Sequence, residues 1–498
     1  MTPSSSLFKL IKSLTKSEKR YIKVIAQTHA IGGKNDYITL LDAIDAMNEY
    51  NEDQLKKELN NKNTAKYLAA NKRYLHKQII KSLRMFHANN KIEFRINNLT
   101  DSGIILYDKG FFSDSLKFFK NAYILAVKSE RFPEAMRINV WLRNIALRKL
   151  KKYAISHTLI AEQKSLNSKW EKINDLSVFI DENDEATTSI LNNRNERDVN
   201  AYYKLFRNKF DDGTKKNISF FLTLATQSAL LTVSGSIGDK KNAIKHVNCI
   251  IRLWKGNSDF ILTDPERYYI SLSNCITYLN FFELYDRAFE CVEMLKRIDS
   301  LKLSPLLQMN IQSSYLVFKG ETLMYSKKYR LLTVFSKEIE TFFYNDSKII
   351  PASRMKELKF ILAVCFFYDD RYKKATQLFS YIRSNNKEVR VDLGLMSLLM
   401  QIICQYEQGN YDSIEYLLKE LEVNKSYRSH SGNFEELFSA FFLNQTLYSS
   451  SVNTRKKLFR SFIKKFRQLL YPVEKKKLKN YFDFEDWFNS KREGHLSR

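Results

Sequence analysis

Leu106-Tyr-Asp-Lys-Gly110-Phe-Phe112-Ser-Asp-Ser115-Leu-Lys-Phe-Phe119-Lys-Asn-Ala122 is the stretch that decides the fold. Two apolar-periodic runs meet at Gly110, and the second opens with an aromatic followed three residues later by a small residue. A glycine there can end a first helix in the left-handed conformation. The small Ser115 lets two helices approach closely, and Phe112 and Phe119 fill the space beside it. Working outward, the Phe112/Ser115 pairing recurs at Tyr153/Ser156, Asp198/Ala201, Lys240/Ala243, Tyr285/Ala288, Tyr329/Leu332, Tyr372/Ala375 and Tyr411/Ile414. The steps between first members are 41, 45, 42, 45, 44, 43 and 39 residues. One helical hairpin repeated along a solenoid accounts for that regularity, and such a fold is suited to holding partners.

Prolines report the same period independently. Pro133, Pro265, Pro305 and Pro351 each stand just before a long apolar-periodic segment. Pro265 follows Thr263-Asp264 and Pro305 follows Ser304, the cap-then-proline opening of a helix. Leu106, Gly110, Phe112, Ser115, Phe119 and Ala122 also fall at the offsets of the tetratricopeptide repeat. Gly409, Tyr411, Ile414, Leu418 and Leu421 make a second such unit. Phe366, Tyr372, Ala375 and Phe379 make a third, with Asp370 in place of the glycine. The chain resembles that family over residues 99–450, in a degenerate form with units longer than the usual ~34 residues. The resemblance implies protein or peptide binding in a concave groove and supplies no named contact residue.

The ends read differently. In residues 1–98, Thr15 with Glu18 makes a capping box, and a helix is expected over residues 66–88. Its apolar stripe is Leu75, Ile79, Leu83 and Phe86. A basic stripe, Arg73, Lys77, Lys81 and Arg84, lies about 200° away around the helix. In residues 451–498 the pattern returns: Leu458, Phe459, Phe462, Ile463 and Phe466 on one side, Lys456, Arg460, Lys464 and Arg467 on the other. Pro472 is expected to end that helix. Tyr481, Phe482, Phe484, Trp487 and Phe488 then form an aromatic segment able to close the last hydrophobic face of a solenoid. The expectation is therefore an all-α chain: a right-handed α-solenoid of about eight tetratricopeptide-like hairpins, a basic helical N-terminal region and a basic C-terminal helical cap.

Composition narrows the chemistry. With 13 Gly and 6 Pro in 498 residues, the chain lacks the turn formers that an all-β fold requires. The net charge is +26; residues 1–100 and 451–498 each contribute +9 (18 Lys/Arg against 9 Asp/Glu, and 14 against 5). Basic ends attract phosphate backbones or acidic partners, and biased codon usage produces the same excess of lysine. The five cysteines lie in apolar helical stretches without paired spacing, as expected of reduced thiols in a cytoplasmic protein. No apolar run reaches the length of a membrane span.

Gly32-Gly33-Lys34 and Gly235-Ser-Ile-Gly238 lack the phosphate-loop spacing. The histidines are scattered, and the acidic cluster Asp181, Glu182, Asp184 and Glu185 lacks the turn glycine of a calcium loop. The expectation is thus no catalytic set, cofactor or metal, and a cytoplasmic scaffold for a protein or peptide. The alternative is a nucleic-acid-binding regulator, with residues 1–98 forming a helix-turn-helix-like basic region and the repeats sensing or recruiting. The two basic stripes are solvated faces, nucleic-acid contacts or contacts to an acidic protein.

Overall fold

A computed structural model describes residues 3–28, 36–59, 67–88, 91–193, 204, 219–236, 238–298, 303–346, 350–384, 390–423, 433–470 and 478–493. The described residues are helical, with no strand among them. The chain forms two compact units, Met1–Asn183 with Lys215–Leu222, and Asp184–Thr214 with Thr223–Arg498.

The first unit begins with α1 (Pro3–Ser13), α2 (Lys16–Thr28), α3 (Asp36–Ala46), α4 (Glu52–Glu58) and α5 (Leu68–Phe86). The capping box forms as expected: the Thr15 amide donates to Glu18 Oε2 at 2.8 Å, and the Glu18 amide donates to Thr15 Oγ1 at 3.2 Å. Leu7, Ile11, Ile22, Leu40, Ile44, Leu75 and Ile79 make the core of this helical cluster. A second core, including Ile96, Phe119, Phe132, Ile138 and Leu166, joins α6 (Ile92–Asp108), α7 (Phe112–Lys128), α8 (Phe132–Asn144) and the start of α9 (Tyr153–Asn193). A π-helical turn, Ile145–Lys149, follows α8.

The second unit contains α10 (Phe220–Ser236) beyond its first turn and α11 (Lys240–Gly256), the short α12 (Asp259–Thr263), α13 (Pro265–Phe281) and α14 (Tyr285–Arg297). Next come α15 (Pro305–Tyr325), α16 (Tyr329–Asp346), α17 (Ala352–Tyr368), α18 (Tyr372–Ser384), α19 (Val391–Gln408) and α20 (Tyr411–Val423). The last described helices are α21 (Asn433–Phe442), α22 (Thr446–Ser449), α23 (Val452–Leu469) and α24 (Phe484–Glu493).

The repeating pair has a structural meaning. Phe112, Tyr153, Lys240, Tyr285, Tyr329, Tyr372 and Tyr411 are each the first residue of a helix, the second of its hairpin. Their partners Ser115, Ser156, Ala243, Ala288, Leu332, Ala375 and Ile414 are all buried at the crossing. Asp198/Ala201 lies outside the described residues. Two positions before each first member the backbone has positive φ: Gly110, Lys151, Gly238, Glu283, Lys327, Asp370 and Gly409. In the α13–α14 turn the Leu284 amide donates to the Leu279 carbonyl and the Glu283 amide to the Asn280 carbonyl. This closes the helix end in a Schellman motif. The turns at 110, 238, 327, 370 and 409 repeat that bonding. The turn at Lys151 differs, because the π turn shifts its bonds by one residue: the Lys152 amide donates to Ala146.

Pro265 and Pro305 open first helices at their first position, each behind a side-chain cap from Asp264 or Ser304. Pro351 is itself the N-cap of α17. The first helices α13, α15, α17 and α19 touch one another in order, and each second helix packs on the next first helix. The packing is close: a Cβ added at Gly320 of α15 would lie 2.5 Å from Ile361 Cγ2 of α17. The long period arises partly from helix length, with first helices of 17, 21, 17 and 18 residues.

A side chain in the left-handed region costs about 1–2 kcal/mol. Glu283→Gly removes that cost and gives back part of it as unfolded-chain entropy. The variant is expected to be more stable than wild type by about 0.5–1 kcal/mol, read from the urea midpoint; a lower midpoint would contradict the turn assignment.

Candidate functional site

The face formed by the first helices α15, α17 and α19 is the natural place to look for a binding surface. It is covered. In α17 every residue from Phe360 to Phe367 is buried, and in α19 every residue from Leu393 to Cys404. A helix buried on all sides has partners on all sides. The second helices supply one cover. The other is residues 478–493, which return over helices far upstream in sequence.

The return is anchored by rings. Tyr481 meets Phe360 at 6.1 Å between centroids, Phe482 meets Phe367 at 5.3 Å, and Trp487 meets Tyr406 at 5.9 Å. Phe488 stacks on Phe462 of α23 at 3.9 Å and is fully buried. Polar contacts fix the register. Tyr325 Oη donates to the Asn480 carbonyl at 2.9 Å. Lys327, the left-handed residue of the α15–α16 turn, pairs with Asp483 at 3.0 Å and Asp486 at 2.8 Å. Trp487 Nε1 donates to Glu407 at 2.7 Å, and Lys491 pairs with the same carboxylate at 2.6 Å. The Lys491 and Glu407 side chains are 11% and 6% exposed, so this pair is dry.

Beside these contacts lies a charge network. Arg390 pairs with Asp392 at 2.8 Å and also with Glu357; Arg354 meets Glu357 at 2.7 Å; Tyr481 donates to Asp392 at 2.6 Å. Burial works against the Asp392 charge, but Arg390 and Tyr481 outweigh it and hold the carboxyl below its usual range. Lys327 is likewise disfavoured by burial and raised on balance by Asp486 and Asp483. Glu321 goes the other way: burial first, then the neighbouring Glu357 carboxylate, push it up to about 7. The pairs hold helices and the returning segment together.

The sequence-derived basic positions divide. Arg73, Lys77, Lys81 and Arg84 are all exposed along α5, and among the described residues no ion pair engages them. On α23, Lys456 is half-buried, Arg460 and Lys464 are exposed, and Arg467 is held by Glu485 at 2.7 Å. Asp181 and Glu182 are exposed on α9; the side chains of Asp184 and Glu185, together with residues 32–34 and Pro472, lie outside the described residues. The described residues hold no group of three or more potential metal ligands and no helix long and apolar enough to cross a membrane. Cys275, Cys365 and Cys404 are buried, and burial raises their thiols.

Lys327, Glu407, Lys491 and the Arg390 network escape sequence reading because their partners lie far away in the chain. One signal was available: the run Phe360-Ile-Leu-Ala-Val-Cys-Phe-Phe367 has no polar face, which requires cover on both sides. With this geometry in place, no family model matches the chain, and no curated protein matches it.

Phe488→Ala leaves a cavity among Phe438, Phe441, Phe459 and Phe462 and is expected to cost about 3–5 kcal/mol in denaturant titration. Glu321 makes a second, pH-dependent prediction. An unfolded glutamate titrates near 4.5, so the folded chain holds an extra proton between 4.5 and about 7. Stability therefore falls as pH rises through that window. Glu321→Gln is expected to remove this slope and to exceed wild type in stability at about pH 8; an unchanged slope in urea midpoints against pH would refute the assignment.

Proposed function

We propose that the chain is a non-enzymatic scaffold: a right-handed α-solenoid of tetratricopeptide-like hairpins that binds a protein or peptide segment on its first-helix face, in the cytoplasm. The observation that carries this reading is the chain's own residues 478–493. They lie on α15, α17 and α19 as a ligand segment would, with aromatic anchors, ion pairs to Lys327 and Glu407, and one main-chain hydrogen bond. The polar clusters support it too, since their carboxylates and cations are spent on each other rather than converging on an open site.

An outside partner needs a stretch of that face which the chain has not filled. Burying several aromatic rings stabilises by roughly 2 kcal/mol each, so displacing 478–493 would consume most of the free energy of a nanomolar complex, about 12 kcal/mol. The open stretch is at α13. Its buried side carries Leu272, Cys275, Ile276 and Leu279, while Glu266, Arg267, Ile270 and Thr277 face solvent. Ile270 is 48% exposed, an apolar centre inside a polar rim, which is the anatomy of a binding patch.

Affinity purification of the full chain is expected to recover a partner in 1:1 proportion, and Ile270→Asp is expected to lose it with helical content unchanged. Recovery of no stoichiometric partner by the wild-type chain would end this reading.

A further inference from the structure

We propose that the exposed face of α5 is a docking surface for double-stranded DNA, seated in the major groove with Arg73, Lys77, Lys81 and Arg84 reaching phosphates and base edges. This goes beyond the scaffold reading and rests on a different part of the chain.

The surface is defined by alignment. Some cations of this helical cluster are matched by acids: Lys19 with Asp45 at 2.6 Å, Lys23 with Asp42 at 2.6 Å, Lys56 with Glu52 at 3.5 Å. Others, such as Lys9, Lys16 and Lys57, are exposed without an ion pair among the described residues, but α5 alone sets four in one line. The buried cation of α5 itself, Lys72, is neutralised by Glu52 at 2.6 Å and bonded to Tyr50 at 2.7 Å. The four solvent-facing cations of α5 have no such pairing among the described residues, and α5 contains no acidic residue. The acids of the cluster sit on α2, α3, α4 and, at Glu49, the bend between the last two.

The helix is held rigidly behind that face. It packs on α1, α2 and α3, with Leu68, Leu75 and Ile79 buried. At its C-terminal end His87 is 2.8 Å from Glu18, the residue of the capping box. Ordering costs on binding are therefore small. Arg73 to Arg84 spans about 16 Å at 1.5 Å per residue, a line of charge set against one phosphate per ~1.7 Å of duplex axis.

Duplex DNA is favoured over the other polyanions by shape and side-chain mix. An α-helix fits the ~12 Å major groove of B-DNA, whereas the deep, narrow major groove of RNA does not admit it. Tyr74 and Ile80 flank the cations on either side, 51% and 41% exposed, and apolar groups beside arginine suit base edges. A membrane surface is disfavoured because the apolar stripe of α5 faces inward. The other basic helix, α23, is weaker: it packs on α24, which carries Glu485 and Asp486, and on α21, which carries Glu435 and Glu436.

The test is fluorescence anisotropy of the full chain with a labelled duplex of about 30 base pairs, between roughly 50 and 200 mM salt. The triple variant Arg73→Gln, Lys77→Gln, Lys81→Gln is expected to bind at least tenfold more weakly and to reduce the log–log salt slope by about 3. Lys81→Gln alone is expected to reduce it by about 1, which keeps the test alive should the triple variant lose helical content. Lys457→Gln, Arg460→Gln, Lys464→Gln removes the same charge from α23 and is expected to change affinity less than about threefold. Polyglutamate and duplex RNA are expected not to compete. Equal losses from the two triple variants would reduce the effect to bulk charge, an unchanged α5 variant would remove the site, and competition by polyglutamate would assign the face to an acidic protein. Each of these overturns the proposal.

Discussion

The structure depends on one local event repeated along the chain: a helix ends in a left-handed residue, and the next helix starts two residues later with its fourth residue buried against the helix before. The turn sets the angle, and the buried small or apolar side chain sets the distance. At Ser115 the contact is close enough for its hydroxyl to donate to the Gly103 carbonyl at 2.7 Å across the pair. Once two helices are fixed this way, each hairpin presents an apolar edge that only another hairpin can cover. The order of contacts from α13 to α20 follows from that need.

The hairpins were legible in the sequence because the turn writes a local signature. Aromatic or polar starter, residue three on and upstream proline all lie within one unit, so spacing alone exposes them. The left-handed residue was read from the sequence at Gly110 and Gly409; Gly238 has the same conformation and was not read as a turn. At Lys151, Glu283, Lys327 and Asp370 the same backbone carries ordinary side chains, and the hairpin bonding overrides the local preference. Asp370 shows how a neighbour helps, accepting a hydrogen bond from Tyr372 at 2.6 Å.

The candidate surfaces were legible to different depths. The exposed basic face of α5 follows from periodicity, since apolar and charged stripes on one helix need no distant information. Arg467 on α23 matched the same pattern and is held by Glu485, a residue whose approach no helical period predicts. The aromatic segment at 481–488 was legible as apolar and its long-range reach was not. Phe482 meets Phe367 of α17, Trp487 meets Tyr406 of α19, and Phe488 packs on Phe438 of α21 and Phe462 of α23. Long-range pairing of this kind is invisible to spacing; the apolar run Phe360–Phe367 of α17 was its one trace.

Residues 478–493 also impose an order of events on synthesis. Asp486 is 159 residues downstream of its partner Lys327. At about 5–20 residues per second, the ribosome needs on the order of ten seconds to make that length of chain. Within that interval α17 and α19 are made and gain their second-helix cover before the aromatic one exists. The nascent chain therefore carries a sticky flank until residues 478–493 emerge and complete a hydrophobic layer begun earlier.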